Sequence, residues 1–147
     1  MLKKVVLIDD DEIALMLCEL VIEQNDFTQE VVKLANGKQG LDFFENQATG
    51  LQQGGGKETP SLVFLDLNMP IMNGWDFLDG FSENYQTLFP ETRVVVLSST
   101  VDPQDFVRAK QYGFVADFLN KPLSDEAISS LRMNSKLQGL FHPENLN

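Results

Sequence analysis

The segment Val5-Val6-Leu7-Ile8-Asp9-Asp10-Asp11-Glu12 sets four apolar residues directly against four acids. Four apolar side chains in a row, with no polar alternation, suit a strand buried on both faces, the environment of a parallel sheet. The acids then stand at that strand's carboxyl end. Two further runs repeat the arrangement. Leu62-Val63-Phe64-Leu65 is followed by Asp66, and Val94-Val95-Val96-Leu97 by Ser98-Ser99-Thr100. Two weaker candidates, Glu30-Val31-Val32-Lys33-Leu34 and Phe114-Val115-Ala116-Asp117-Phe118-Leu119, have the mixed patterning of sheet edges. The second leads into Asn120-Lys121-Pro122.

Helical spacing fills the intervals. Ile13, Met16, Leu17, Leu20 and Val21 recur at three and four residues, as do Phe77, Leu78, Phe81, Tyr85 and Leu88. That spacing gathers side chains on one face, which is expected to turn inward. Phe106, Ala109 and Lys110 repeat it more weakly. A last helix is expected from Ser124, an N-cap type followed by Asp125 and Glu126, with Ile128 and Leu131 inward. Five strands alternating with five helices predict an α/β fold: a doubly wound parallel sheet with right-handed crossovers, covered on both faces. Residues 47–60 include Gly50, Gly54, Gly55 and Gly56 with few apolar residues, and read as a flexible insertion before the third strand. The expected organisation is one domain over residues 1–147, with a core at about 3–137 and a short tail at about 139–147.

Composition narrows the function. At 147 residues the chain can bury roughly 70% of its unfolded surface, a core that needs no staples. Eleven Lys and Arg against 22 Asp and Glu give a net charge of −11, which phosphate backbones and anionic lipid repel. No nucleic acid and no membrane are therefore expected as partners. One Cys and one His leave no disulfide framework and no His/Cys zinc site. No apolar run approaches the ~20 residues of a membrane span. The first residues run into a strand with no cleavage motif, so a cytoplasmic location is expected.

In an open parallel sheet, ligands bind beyond the carboxyl ends of the strands. Those ends here supply Asp9, Asp10, Asp66, Ser98 and Lys121. Clustered carboxylates repel one another unless a cation is present. A small set of hard oxygen ligands suits Mg²⁺, which commonly binds together with phosphate. A lysine and a hydroxyl beside it can hold phosphoryl oxygens. The first turn is acidic, not glycine-rich, which disfavours direct binding of a nucleotide or flavin phosphate. Singly, each acid is most simply a helix cap, and Ser98-Ser99-Thr100 a cap for the following helix. Four strand ends with complementary chemistry in one chain make coincidence a poor account.

The sequence resembles the receiver domains of two-component response regulators, and is similar to the single-domain chemotaxis type. The resemblance rests on Val6-Leu7-Ile8-Asp9-Asp10-Asp11, Leu65-Asp66-Leu67-Asn68-Met69-Pro70-Ile71-Met72-Asn73-Gly74, Val95-Val96-Leu97-Ser98-Ser99 and Phe118-Leu119-Asn120-Lys121-Pro122. It implies a flavodoxin-like sheet of order 2-1-3-4-5. It implies Asp66 as phosphoacceptor, Asp10 touching Mg²⁺ directly, Asp9 touching it through water, and Asn68 offering its backbone carbonyl. Ser98 takes the place of the family's hydroxyl residue, Lys121 of its lysine and Phe118 of its aromatic switch. The Lys121–Pro122 bond is implied to be cis. The resemblance further implies that Asn68 and Thr100 flank the approach of hydrolytic water and are candidates for setting the lifetime of the phosphoryl group. Ser98 stands where Thr is commoner, and Asn73 where Asp is.

The implied function is a stand-alone regulator that takes a phosphoryl group from a histidine kinase or phosphotransfer protein. It would switch a protein-binding surface near Phe118 as that ring swings inward. Such a chain catalyses only its own phosphorylation and dephosphorylation, as a monomer or weak dimer. One alternative is an unphosphorylated adaptor on the same fold. Another is a Mg²⁺-dependent phosphohydrolase, which would want a second acid where Asn68 stands. Cys18 reads as a small buried hydrophobe, Trp75 as a packing or partly exposed residue and His142 as a solvent-exposed tail residue.

Overall fold

The computed structural model describes residues 1–53, 59–69, 71–99 and 102–141. The three apolar runs form the centre of the sheet. β1 (Leu2–Ile8) pairs with β2 (Thr28–Leu34) on one side and β3 (Leu62–Asp66) on the other; β4 (Arg93–Ser98) and β5 (Val115–Asn120) follow. All pairings are parallel and the order is β2-β1-β3-β4-β5. Register aligns the strand ends: Ile8 faces both Leu34 and Leu65, Asp66 faces Leu97, and Ser98 faces Asn120. A register shift between Val94 and Val95 marks a bulge against the edge strand β5.

Residue alternation divides the core into two layers. Val6, Ile8, Val63, Leu65, Val94 and Val96 point to one face, under α2 (Gly37–Gln52), α3 (Gly74–Asn84) and α4 (Pro103–Lys110). Val5, Leu7, Leu62, Phe64, Val95 and Leu97 point to the other, under α1 (Glu12–Gln24) and α5 (Asp125–Arg132). The first layer is aromatic. Phe44 lies 4.9 Å from Phe81 and 5.2 Å from Phe89, ring centre to ring centre, in edge-on geometry. Close packing there depends on Gly40, where a Cβ would lie 2.7 Å from Ile8 Cδ1 and 2.8 Å from the Phe77 ring. Ser124 caps α5, and its Oγ accepts from the Ala127 N–H at 3.1 Å.

Three expectations need correction. The face of α1 read as inward is mostly turned out: Ile13 is 64%, Met16 58%, Leu17 46% and Leu20 48% exposed, while Leu15, Cys18 and Ile22 are buried. The strongest apolar stripe on α1 therefore does not face the sheet. Secondly, residues 47–52, read as the start of a flexible insertion, belong to α2, which continues to Gln52. Residues 54–58 lie outside the described residues. Thirdly, the described residues hold six helices. A short α6 (Gln138–Phe141) occupies the first residues of the expected tail and sets Phe141 against Phe27 at 5.3 Å. His142 and the rest of the tail lie outside the described residues. Among the described residues no helix is long and apolar enough to cross a membrane.

Candidate functional site

The carboxyl ends of β1, β3, β4 and β5 converge on one edge, as the register requires. Asp9 leaves β1 with its N–H bonded to the Leu34 carbonyl at 3.1 Å. One carboxylate oxygen accepts the Asp11 N–H at 3.0 Å, and the other meets Lys121 Nζ at 2.6 Å. Asp66 is the last residue of β3, and its Oδ1 lies 3.3 Å from the same ammonium. Asp10 is exposed beside them. Carboxylate oxygens of Asp9, Asp10 and Asp66 lie within 4.8 Å of one another. Asp11 is spent elsewhere: it caps α1, accepting the Ile13 N–H at 2.9 Å and the Ala14 N–H at 3.3 Å. The four-acid run thus divides its labour, two acids to the cluster, one to the cap and Glu12 to the helix's first turn.

Lys121 is placed by the backbone. Its N–H bonds the Ser98 carbonyl at 2.9 Å, which joins the end of β5 to the end of β4. The Lys121–Pro122 peptide is cis. Ser98 is buried, 1% exposed, and Asn68 is exposed in the loop after Asp66. Pro70, Thr100 and Val101 lie outside the described residues, so the Thr100 expectation does too.

The loop from β3 to α3 is clamped at both ends. Gly74 N–H bonds the Leu67 carbonyl at 3.0 Å, and Gly37 N–H bonds the Met72 carbonyl at 3.1 Å. A Cβ on Gly74 would stand 2.6 Å from the Asp66 carbonyl oxygen, so only glycine lets α3 start this close to the strand end. Between the clamps Ile71 takes φ 69°, left-handed for a β-branched residue, with its side chain 82% exposed.

Electrostatics follow from this packing. Burial, and then the charge of Asp9, push the Asp66 carboxyl up from its ordinary value, against the pull of Lys121 and the Asn68 N–H. Burial works against the Lys121 ammonium, yet its hydrogen bond to Asp9 and the charge of Asp66 leave it raised overall. Cys18 packs beneath: burial and the charge of Asp9 push its thiol up to about 11, so it is a neutral thiol at neutral pH. That placement has no signature in the sequence, since Cys18 is on α1 and its neighbours Asp9, Lys121 and Leu123 come from distant turns. Three carboxylates facing one ammonium leave excess negative charge among hard oxygen donors. A divalent cation such as Mg²⁺ fits that donor set.

Phe118 is buried, 9% exposed, with Phe106 of α4 at 5.9 Å. The ring expected to swing inward on phosphorylation is already inward here.

Comparison with known proteins agrees with this geometry. The family described as response regulator receiver domain matches residues 5–131. The chain is 32% identical over 124 residues to the probable methanogenesis regulatory protein FilR2 of Methanothrix harundinacea, covering 83% of this chain and 74% of that protein. It is 29% identical over 119 residues to the alkaline phosphatase synthesis transcriptional regulatory protein SphR of Synechococcus elongatus, covering 81% of this chain but 43% of that one. The chain thus spans about half or less of the length of several of its relatives. Among solved structures, a two-component response regulator from Cytophaga hutchinsonii superposes with a TM-score of 0.78 at 29% identity, covering 88% of this chain and 92% of that one. The bacteriophytochrome response regulator AtBRR does so with a TM-score of 0.71 at 26% identity, covering 96% and 94%. The sheet order, the acid cluster at its edge and the match along most of the sequence place this chain in the response regulator receiver domain family.

Proposed function

We propose that this chain accepts a phosphoryl group on Asp66 from a phosphohistidine of a kinase or phosphotransfer protein. The observation that carries the reading is the single Lys121 ammonium, 2.6 Å from Asp9 and 3.3 Å from Asp66, at the edge of a three-carboxylate cluster. In the reaction an Asp66 carboxylate oxygen attacks phosphorus, the new O–P bond forms and the P–N bond to imidazole breaks. The leaving imidazole keeps the electron pair and takes a proton from solvent. Lys121 exchanges its contact with the Asp66 carboxylate for one with a phosphoryl oxygen, so positioning and charge do the catalysis. The Ser98 hydroxyl, at the end of the adjacent strand, is the donor that senses the new group. When bound at Asp9, Asp10, Asp66 and the Asn68 carbonyl, Mg²⁺ supplies charge neutralisation for the transferring phosphoryl group.

The donor is a protein whose docking helix is apolar along one face with basic flanks. Support for this comes from the exposed stripe Ile13, Met16, Leu17 and Leu20, which starts two residues beyond the Asp11 cap and lies among Glu12, Glu19 and Glu23. Output leaves through a protein-binding surface around Phe118 and α4. The test is labelling with acetyl phosphate and Mg²⁺. Wild type takes up hydroxylamine-sensitive phosphate, and Asp66→Asn or chelation of the metal abolishes it. Equal labelling of Asp66→Asn contradicts the assignment. No labelling of folded wild type by acetyl phosphate or by kinases favours an unphosphorylated adaptor.

A further inference from the structure

α3 and α4 are joined at the surface by two matched contacts. Trp75 and Asp79 stand one turn apart on α3, and Arg108 and Tyr112 stand one turn apart on α4 and just past its end. The Arg108 guanidinium lies 4.1 Å from the centre of the Trp75 ring, a cation–π distance. The Tyr112 hydroxyl donates to the Asp79 carboxylate. Burial and that carboxylate push the Tyr112 hydroxyl up to about 12, so it remains a donor at neutral pH.

What these contacts hold is lightly anchored otherwise. α3 buries Phe77, Leu78 and Phe81, whereas Ala109 is the one buried residue of α4. Phe106 adds a half-buried ring against Phe118, and Val107, Arg108 and Lys110 are exposed. Both helices are linked in sequence to strands that end at the site. α3 starts at Gly74, pressed against the Asp66 carbonyl, and α4 follows the strand that ends at Ser98. A weakly packed element whose position depends on exposed contacts has alternatives close in free energy, which a local change can select.

We propose that the Trp75–Arg108 and Asp79–Tyr112 pairs form a latch that holds α4 against α3, and that phosphorylation of Asp66 releases it. The trigger rests on the phosphorylation reading above. The latch itself rests on the contacts. Release begins at Ser98 as it engages the phosphoryl group, and the far end of α4 leaves α3.

Trp75 is the chain's one tryptophan, so its emission reports the latch directly. The experiment compares wild type with Tyr112→Phe, with and without acetyl phosphate and Mg²⁺. It reads phosphate incorporation, Trp75 emission with acrylamide quenching, and hydrogen exchange of the α4 amides. Tyr112→Phe removes one hydroxyl that bonds Asp79 and also interacts with Arg108 over the indole, so the hydrogen exchange of α4, read beside the emission, decides whether α4 itself is released. The expected result is that labelled wild type shifts its emission, becomes more quenchable and exchanges faster in α4. Unlabelled Tyr112→Phe should move the same way, and labelling should add little to it. Fully labelled wild type with unchanged emission and exchange overturns the latch while the phosphorylation reading stands. Unlabelled Tyr112→Phe indistinguishable from wild type also overturns it. Failure of wild type to label overturns the site reading and removes the trigger. The Tyr112→Phe comparison then still decides whether the contacts hold α4.

Discussion

In the proposed transfer Asp66 must be ionised to attack phosphorus, and its surroundings oppose ionisation. Burial and the charge of Asp9 raise its carboxyl, so rate falls on acidification sooner than for an exposed aspartate. Asp9→Asn removes one of those causes. The acid limb of acetyl phosphate labelling should then move to lower pH, even as weaker metal binding slows the reaction; a limb that stays in place contradicts the Asp9 contribution. The same shift has a stability consequence. A folded-state value above the unfolded one favours the folded state below the ordinary carboxylate range. That contribution is lost as pH rises through the raised value. At neutral pH the ionised Asp66 therefore burdens the fold, and Asp66→Asn should melt higher than wild type, with the difference fading in acid. Equal melting temperatures at neutral pH count against it. Which acids matter was only half legible beforehand. Asp9, Asp10 and Asp66 stand at strand ends and could be read from the apolar runs before them. That Asp11 serves as the α1 cap depends on where the helix starts, which a run of four acids does not reveal.

At the level of elements, α1 is where periodicity misleads. Ile13, Met16, Leu17 and Leu20 have the spacing of a buried face, yet Leu15, Cys18 and Ile22 carry the packing. Spacing shows that residues share a face, and the fold decides which face meets the sheet. If the exposed stripe receives the donor, the double variant Ile13→Ser with Leu17→Ser should slow transfer from a phosphorylated partner protein about tenfold or more, in line with ~1.4 kcal/mol or more at a docking surface. Labelling by acetyl phosphate and the melting temperature should hardly change. Parallel losses with both donors would remove α1 from docking. The β3–α3 loop offers a separate test. Ile71 sits at φ 69° with an exposed side chain, so Ile71→Gly should stabilise the fold by roughly 1 kcal/mol as left-handed strain is relieved. A destabilised variant would mean that the isoleucine side chain is held by contacts the backbone angle does not reveal. Nothing in the Pro70-Ile71 sequence announces that angle; it follows from the clamps at Gly37 and Gly74.

For the molecule as a whole, the sheet was legible because each central strand is a continuous apolar run, and the order of strands because the resemblance supplied it. The boundary after α2 was not, since glycines at 50 and 54–56 suggested a break that the helix ignores as far as Gln52. The two-layer core makes the site dependent on distant packing. Phe44, fully buried among Phe77, Phe81 and Phe89, should cost about 3–5 kcal/mol when replaced by alanine, a large part of a domain's stability. A loss below 1 kcal/mol by denaturant unfolding would show that the aromatic layer collapses around the gap. All of this organisation serves one claim, that the strand-end cluster makes Asp66 a phosphoacceptor. Borohydride reduction tests it most directly, because it converts an aspartyl phosphate to homoserine at the modified position. After treatment with acetyl phosphate and Mg²⁺, peptide sequencing by mass spectrometry should find homoserine at position 66. Homoserine at another aspartate, or none in protein that is folded, would contradict the account.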